Sequence, residues 1–295
     1  MNKRSFQLTN RVKFALMAAV CSLVAAHNAS ALTVSQTVDS TALSTALGGG
    51  GGLTINSATV VNGDPTQFGT YTGFSSPPVT IGDGVVLSTG LAVQTTAAFH
   101  SSGSSPSTNT QQPGTAEFNG YGPGHIANFN NSNDVAALQV SFTLAAPSQV
   151  GFNFVFGSVE FPVFTSVFTD AFVAFLDGTA VGDQIVFDAS NNAVQVGLAF
   201  SGALTTADTN TAFSDPHGLL ALTTFTQGAL AAGAHTLTFE IGDVNDHILD
   251  SGVFISNLHA GPGGGGTNPT PDAGSTCSLL GLAMLGIAAL RRKLG

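Results

Sequence analysis

The sequence predicts an all-β fold, a single antiparallel β-sandwich or jelly-roll-like domain over residues 32–260. Three observations predict it. Short runs rich in Val, Ile, Phe and Thr recur along this stretch, turn dipeptides separate them, and helical periodicity is scarce. Composition is continuous and no repeat of fixed period occurs, which favours one domain over several.

Taken in order, residues 41–47 form a short helix candidate ahead of the glycine run at 48–52. Strands are expected at 140–144, 151–156, 171–176, 184–187 and 236–241. Within 151–156, Phe152, Phe154 and Phe156 alternate with Asn153 and Val155, so one face offers three rings to a core. Turn signals stand at Asn62-Gly63, Asp83-Gly84, Asp177-Gly178 and Asn191-Asn192. Residues 101–124, rich in Ser, Gly, Pro, Asn and Gln, read as a long surface loop. Residues 219–230 fit a helix or a strand.

Charge is distributed unusually. The chain has 295 residues, 8% charged, with a formal net charge of −10. Its seven Lys and Arg residues are Lys3, Arg4, Arg11, Lys13, Arg291, Arg292 and Lys293, so 14–290 holds no permanent cation while all 17 carboxylates fall inside it. No body residue can clamp a phosphate, form a Schiff base or neutralise a nucleic-acid backbone, which excludes nucleic-acid binding and most phosphoryl transfer. The body also lacks Cys, so the exported domain must be held by its core or by metal ions.

The two ends carry the cations for a reason. A basic n-region, an apolar stretch at 14–26 and the small-x-small pattern of Ala29 and Ala31 read as a secretory signal peptide over residues 1–31, cut after Ala31 by signal peptidase following Sec export. A Gly/Pro-rich linker occupies 261–270. Residues 271–295 then combine a short motif, an apolar run from Cys277 to Leu290 and a basic tail. Fourteen helical residues span about 21 Å, short of the roughly 30 Å hydrocarbon core, so this short transmembrane helix would anchor only transiently in the inner membrane. The motif residues Pro271, Asp272, Gly274, Ser275 and Thr276, with Arg291, Arg292 and Lys293, resemble the PEP-CTERM sorting signal in its Pro-Asp-x-Gly-Ser-Thr variant, with Thr270 where valine is usual. That resemblance implies recognition by an exosortase and release to the outer surface or extracellular matrix of a Gram-negative bacterium.

Four body segments carry a second likeness. They are 42–55 leading through Phe68-Gly69-Thr70 to 81–90; 152–162; 168–172 running into Phe175-Leu176-Asp177-Gly178; and 239–243 through Asp246 to 250–255. In this order they resemble the choice-of-anchor L domain, with Val159 where a second glutamate is common and Thr169 where an asparagine is common. The resemblance implies a surface protein and no enzymatic activity.

The acids suggest a ligand. The densest group lies at 243–250, and oxygen donors at close, irregular spacing suit Ca²⁺. Glu160 ends one strand and Asp170 opens another, so loops at one end of a sandwich could gather Glu160, Asp170 and Asp250 around one ion, with Asp243 and Asp246 as further donors. Solvated loop acids and Asx-turn caps are the competing reading. No H-x-x-x-H pair or Cys/His cluster supports a transition metal.

These features lead to an exported structural or adhesive protein, not an enzyme, Ca²⁺-stabilised and in contact with extracellular polysaccharide. A carbohydrate-binding module is the first alternative, with Tyr121, Phe161, Phe164 and Phe168 as its platform, although the chain has no Trp. A secreted hydrolase, built on His125 or His217 (the latter in Asp215-Pro216-His217), is the second; G-x-S-x-G is absent.

Overall fold

A computed structural model describes residues 31–75, 79, 81–101, 105–165, 167–188, 193–196, 210–214, 217–219 and 223–261. The expected signal peptide up to residue 30 (Ala29 included), the linker from 262, the sorting segment 271–295, Asp215 and the Asn191-Asn192 turn lie outside them.

Among the described residues, twelve strands make two sheets. They are β1 (Thr33–Gln36), β2 (Leu53–Asn62), β3 (Phe68–Thr72), β4 (Gly84–Ser88), β5 (Ser132–Leu144), β6 (Ser148–Ser158), β7 (Ala171–Leu176), β8 (Val194–Gln195), β9 (Gly218–Leu219), β10 (Thr223–Leu230), β11 (Gly233–Val244) and β12 (Ser251–Ala260). The first sheet runs β1-β3-β4-β12-β6-β10, with β9 also on β6; the second runs β2-β5-β11-β7-β8. Every strand pairing is antiparallel. The expected all-β sandwich is therefore what forms.

Phe152, Phe154 and Phe156 of β6 all enter the core between the sheets, meeting Phe142, Phe172 and Phe239 from the other layer. Ring centroids of Phe152 and Phe239 lie 5.0 Å apart, and those of Phe154 and Phe172 lie 5.2 Å apart. The other face of β6 is not solvated. Val155 packs with Tyr71, Phe74, Phe213 and Phe254 in a second cluster. A third cluster, with Phe118, Tyr121 and Phe175, covers the outer face of the second sheet. Central strands buried on both faces read as near-continuous apolar runs, which is how β6 and β7 appear in the sequence.

The helix expected at 41–47 is α1 (Ser40–Leu47). Asp39 Oδ1 caps it by accepting from Ala42 N at 2.7 Å, while Leu43 and Leu47 turn inward. Three sequence expectations change. Among the described residues, 184–187 make only isolated bridges, Phe175 to Gln184 and Phe187 to Ala193, at the edge of the second sheet. In the ambiguous 219–230 stretch the described residues are strand: Leu219 closes β9, and β10 completes the edge of the first sheet beside β6. The segment 101–124 is more than a surface loop: α2 (Ala97–Ser101) leads into it, and it contains α3 (Ala116–Tyr121), whose Phe118 and Tyr121 are buried.

The sandwich has two unlike ends. At one, β4, β6 and β11 finish while β5, β7 and β12 begin. At the other, β12 finishes beside the glycine turn before β2. There a Cβ on Gly51 (φ +66°) would fall 1.9 Å from the Ala260 carbonyl oxygen, so the turn must be bare to let the chain leave. No helix among the described residues is long and apolar enough to cross a membrane.

Candidate acidic site at the strand ends

The strand-end geometry gathers acids at the first of these two ends. Glu160 follows β6 by two residues, and its backbone N–H donates to Ser158 Oγ at 3.0 Å. Asp170 immediately precedes β7; its Oδ1 accepts from Val244 N at 3.2 Å and its Oδ2 from Ser251 Oγ at 2.7 Å. Asp246 lies in the β11–β12 turn, which Asn133 Nδ2 pins by donating to the Asp246 carbonyl at 2.9 Å. One carboxylate oxygen from each of Glu160, Asp170 and Asp246 lies within 4.8 Å of the other two.

The sequence-derived trio is thus two-thirds assembled, with Asp246 as the third member in place of Asp250. Asp250 is buried next to the group but otherwise engaged. Its Oδ1 accepts from Thr108 N at 2.8 Å, and a Cβ on Gly90 would sit 1.8 Å from its Oδ2. Gly90 is glycine so that this carboxylate can lie against the backbone. Asp243, at the end of β11, is fully buried beside Thr89 and Asp170, and neither of its oxygens has a well-formed hydrogen bond.

Burial dominates the electrostatics. Desolvation raises the Glu160 carboxyl far above the ordinary carboxylate range, and the Asp170 and Asp246 charges add to it. Asp170 is raised by burial too, against the pull of its Ser251 and Val244 hydrogen bonds. Asp243 rises by burial and then by its neighbour Asp170. Asp246 rises by burial, and burial pushes Asp250 up to about 7. No Lys or Arg lies between residues 14 and 290 to offset any of them. Both Glu160 oxygens, both Asp243 oxygens, Asp246 Oδ1 and Asp250 Oδ2 are buried without a partner. A carboxylate left so is costly unless a cation or a proton reaches it.

Sequence reasoning missed Asp134. Fully buried beside the group, it accepts from Thr110 Oγ1 at 2.8 Å and Gln112 N at 2.9 Å, and its Oδ2 lies 3.0 Å from His247 Nδ1. The polar run Asn130-Asn131-Ser132-Asn133-Asp134 at a strand start was its available signal. Residues 105–112, expected as solvated loop, instead supply donors to Asp134 and Asp250.

Above the group, the 161–168 loop exposes Val163, Phe164 and Val167, and the β11–β12 turn exposes Ile248. Of the aromatic platform expected from sequence, Tyr121 is buried, Phe161 and Phe168 are half-buried, and Phe164 is exposed. His217 Nε2 lies 3.1 Å from Ser105 Oγ, but its Nδ1 faces the Phe161 carbonyl at 3.1 Å; His125 Nδ1 lies 2.9 Å from the Tyr121 carbonyl.

Elsewhere, on the outer face of the second sheet, a cleft of about 380 Å³ is lined by Asn62, Thr115, Glu117, Gln139, Thr238 and Glu240 among others. Glu240 is buried there with one donor, Thr115 Oγ1 at 2.7 Å, and burial pushes it up to about 7.

Comparison with known proteins gives two family matches. The choice-of-anchor L domain matches residues 30–258, and a VPDSG-CTERM motif, a PEP-CTERM-type sorting signal, matches residues 271–294. No curated protein sequence matches. Among solved structures, a carbohydrate-binding module specific for non-crystalline cellulose is similar at 8% identity and a TM-score of 0.26, over 44% of this chain and 66% of that one. A β-glucosidase from Kluyveromyces marxianus in complex with glucose is similar at 9% identity and a TM-score of 0.21, over 43% of this chain and 12% of that one. The chain spans less than two thirds of either structure, and at these scores neither likeness bears on fold or ligand.

Proposed function

The chain belongs to the choice-of-anchor L domain family, and from that premise we propose a structural or adhesive role, without catalysis, at the outer surface or in the extracellular matrix of a Gram-negative cell. The domain and the sorting motif mark an exported cell-surface protein, and the motif implies processing by an exosortase-type system. Export through Sec, signal-peptide removal after Ala31 and transient inner-membrane anchoring complete this route.

One observation carries the adhesive reading. β12 runs from the acidic end at Ser251 to Ala260 at the opposite end, about 30 Å for ten strand residues. The chain that continues past Gly261 to the sorting motif therefore leaves at the end opposite the acids. A protein held by its C-terminal segment presents the acidic loops, with exposed Val163, Phe164, Val167 and Ile248, as its distal tip. Such a tip, with exposed apolar side chains around the half-buried Asp246, suits contact with polysaccharide.

Intact mass of the protein from a washed surface fraction tests the reading. The expected molecule begins at Leu32 and has lost its C-terminal basic tail. Recovery only from the cytosol, with both Met1 and Gly295 retained, would overturn it.

A further inference from the structure

We propose that Glu160, Asp170 and Asp246 form a binding site for one hard divalent cation, of the Ca²⁺ class, at the distal tip of the sandwich. The inference goes beyond surface display and needs only the fold and the site geometry.

The donor set selects the ion. Only oxygen donors converge, with no Cys or His in the group, which favours Ca²⁺ or Mg²⁺ over Zn²⁺ or Cu²⁺. Ca²⁺–oxygen distances of about 2.3–2.6 Å place opposite ligands roughly 4.6–5.2 Å apart, so three oxygens within 4.8 Å of one another can share one such ion. Mg²⁺ demands a tighter octahedron and sheds its water reluctantly, which fits less well a pocket whose members Glu160 and Asp170 are fully buried.

Acids gathered at a surface need no ion, but these are not at the surface. Glu160 is 0% exposed, and neither of its oxygens has a well-formed hydrogen bond, its polar neighbour being the equally buried Asp170. Asp243, outside the trio and equally buried, has no well-formed hydrogen bond on either oxygen, and the charge of Asp170 bears on it. The same protein end satisfies Asp134 from three sides, so the local fold is able to supply donors and leaves Glu160 without them. Asp246, half-buried, is the member through which an ion would enter from solvent. Asp170 is pre-oriented by Ser251 Oγ and Val244 N, each occupying a different oxygen. A bound ion would tie the end of β6, the start of β7 and the β11–β12 turn together, joining the two sheets at the tip.

The test uses the full chain stripped with EDTA and then supplied with CaCl₂ alone. Millimolar CaCl₂ should raise the melting temperature by about 5 °C over the EDTA sample, with saturable binding heat in titration calorimetry. Glu160→Gln and Asp246→Asn should each remove most of that shift, while Glu117→Gln, away from the group, keeps it. Should Glu160→Gln fail to fold, Asp246→Asn at the half-buried member decides. Identical melting in CaCl₂ and EDTA, or a full shift in Asp246→Asn, would overturn the proposal. Neither result touches the surface reading, which fails only on the location and mass of the mature protein.

Discussion

Two carboxylate niches at the same end of the sandwich are buried to the same degree and built in opposite ways. Asp134 receives Thr110 Oγ1 and the Gln112 N–H on one oxygen and faces His247 Nδ1 with the other. Glu160 has no well-formed hydrogen bond on either oxygen, and its neighbours are the acids Asp170 and Asp246. Burying a carboxylate costs several kcal/mol unless hydrogen bonds or a counter-charge offset it. Asp134 is therefore complete as folded, whereas the Glu160 niche calls for a proton or a cation to offset its burial. Glu240 stands between them, with a single donor from Thr115.

The sharpest way to break the comparison is to remove the completed acid. Asp134→Ala strands three donor groups in the interior and should destabilise by about 4 kcal/mol, lowering the melting temperature by roughly 10 °C. A loss under about 1 kcal/mol in urea unfolding would mean that its hydrogen bonds do little.

The intermediate case sharpens it through pH. Glu240 has a folded-state pKa near 7 against an ordinary 4.5, so the folded state holds the proton more tightly than the unfolded chain. Its stabilising contribution is present below about pH 4.5 and is lost as pH rises through about 7, a change of up to about 3 kcal/mol. Glu240→Gln should remove that slope and be the more stable protein at pH 8. Parallel stability–pH curves for the two proteins would count against the assignment.

Two smaller effects follow. Gly90→Ala drives a methyl group into Asp250 Oδ2 and should cost about 2 kcal/mol by displacing that carboxylate from Thr108 N. Glu160→Gln in EDTA should change stability by less than about 1 kcal/mol, because Gln replaces a group already driven towards its neutral form. A large loss in EDTA would mean that Glu160 is ionised and paired after all.

Much of this was legible in the chain. Strands β6, β7 and β11 announced themselves because they are buried between layers and their side chains are uniformly apolar or alternating. The helix at α1 was readable from the glycine stop that follows it. Glu160 and Asp170 were readable because each stands where a β-rich run stops or starts. The pairing of Asp246 with them was not, since which of Asp243, Asp246 and Asp250 turns inward depends on a turn held by Asn133 and on Thr108 claiming Asp250. The role of 105–112 was hidden for a related reason. Polar, glycine-containing composition signals a loop, but it carries no information on whether that loop's backbone N–H groups point at solvent or at a buried acid. The 184–187 run failed because local β propensity needs a partner strand, and an edge position supplies only isolated bridges.

β12 also gives the molecule a mechanical axis. It lies between β4 and β6, hydrogen-bonded on both sides, and joins the chain's exit at one end to the acidic loops at the other. Tension between an anchored C-terminus and a load gripped at the tip would run along this strand, perpendicular to its ladder hydrogen bonds. Those bonds would then share the force in shear instead of opening one by one, so the stretch of chain that positions the acidic loops would also be the one that resists such a pull.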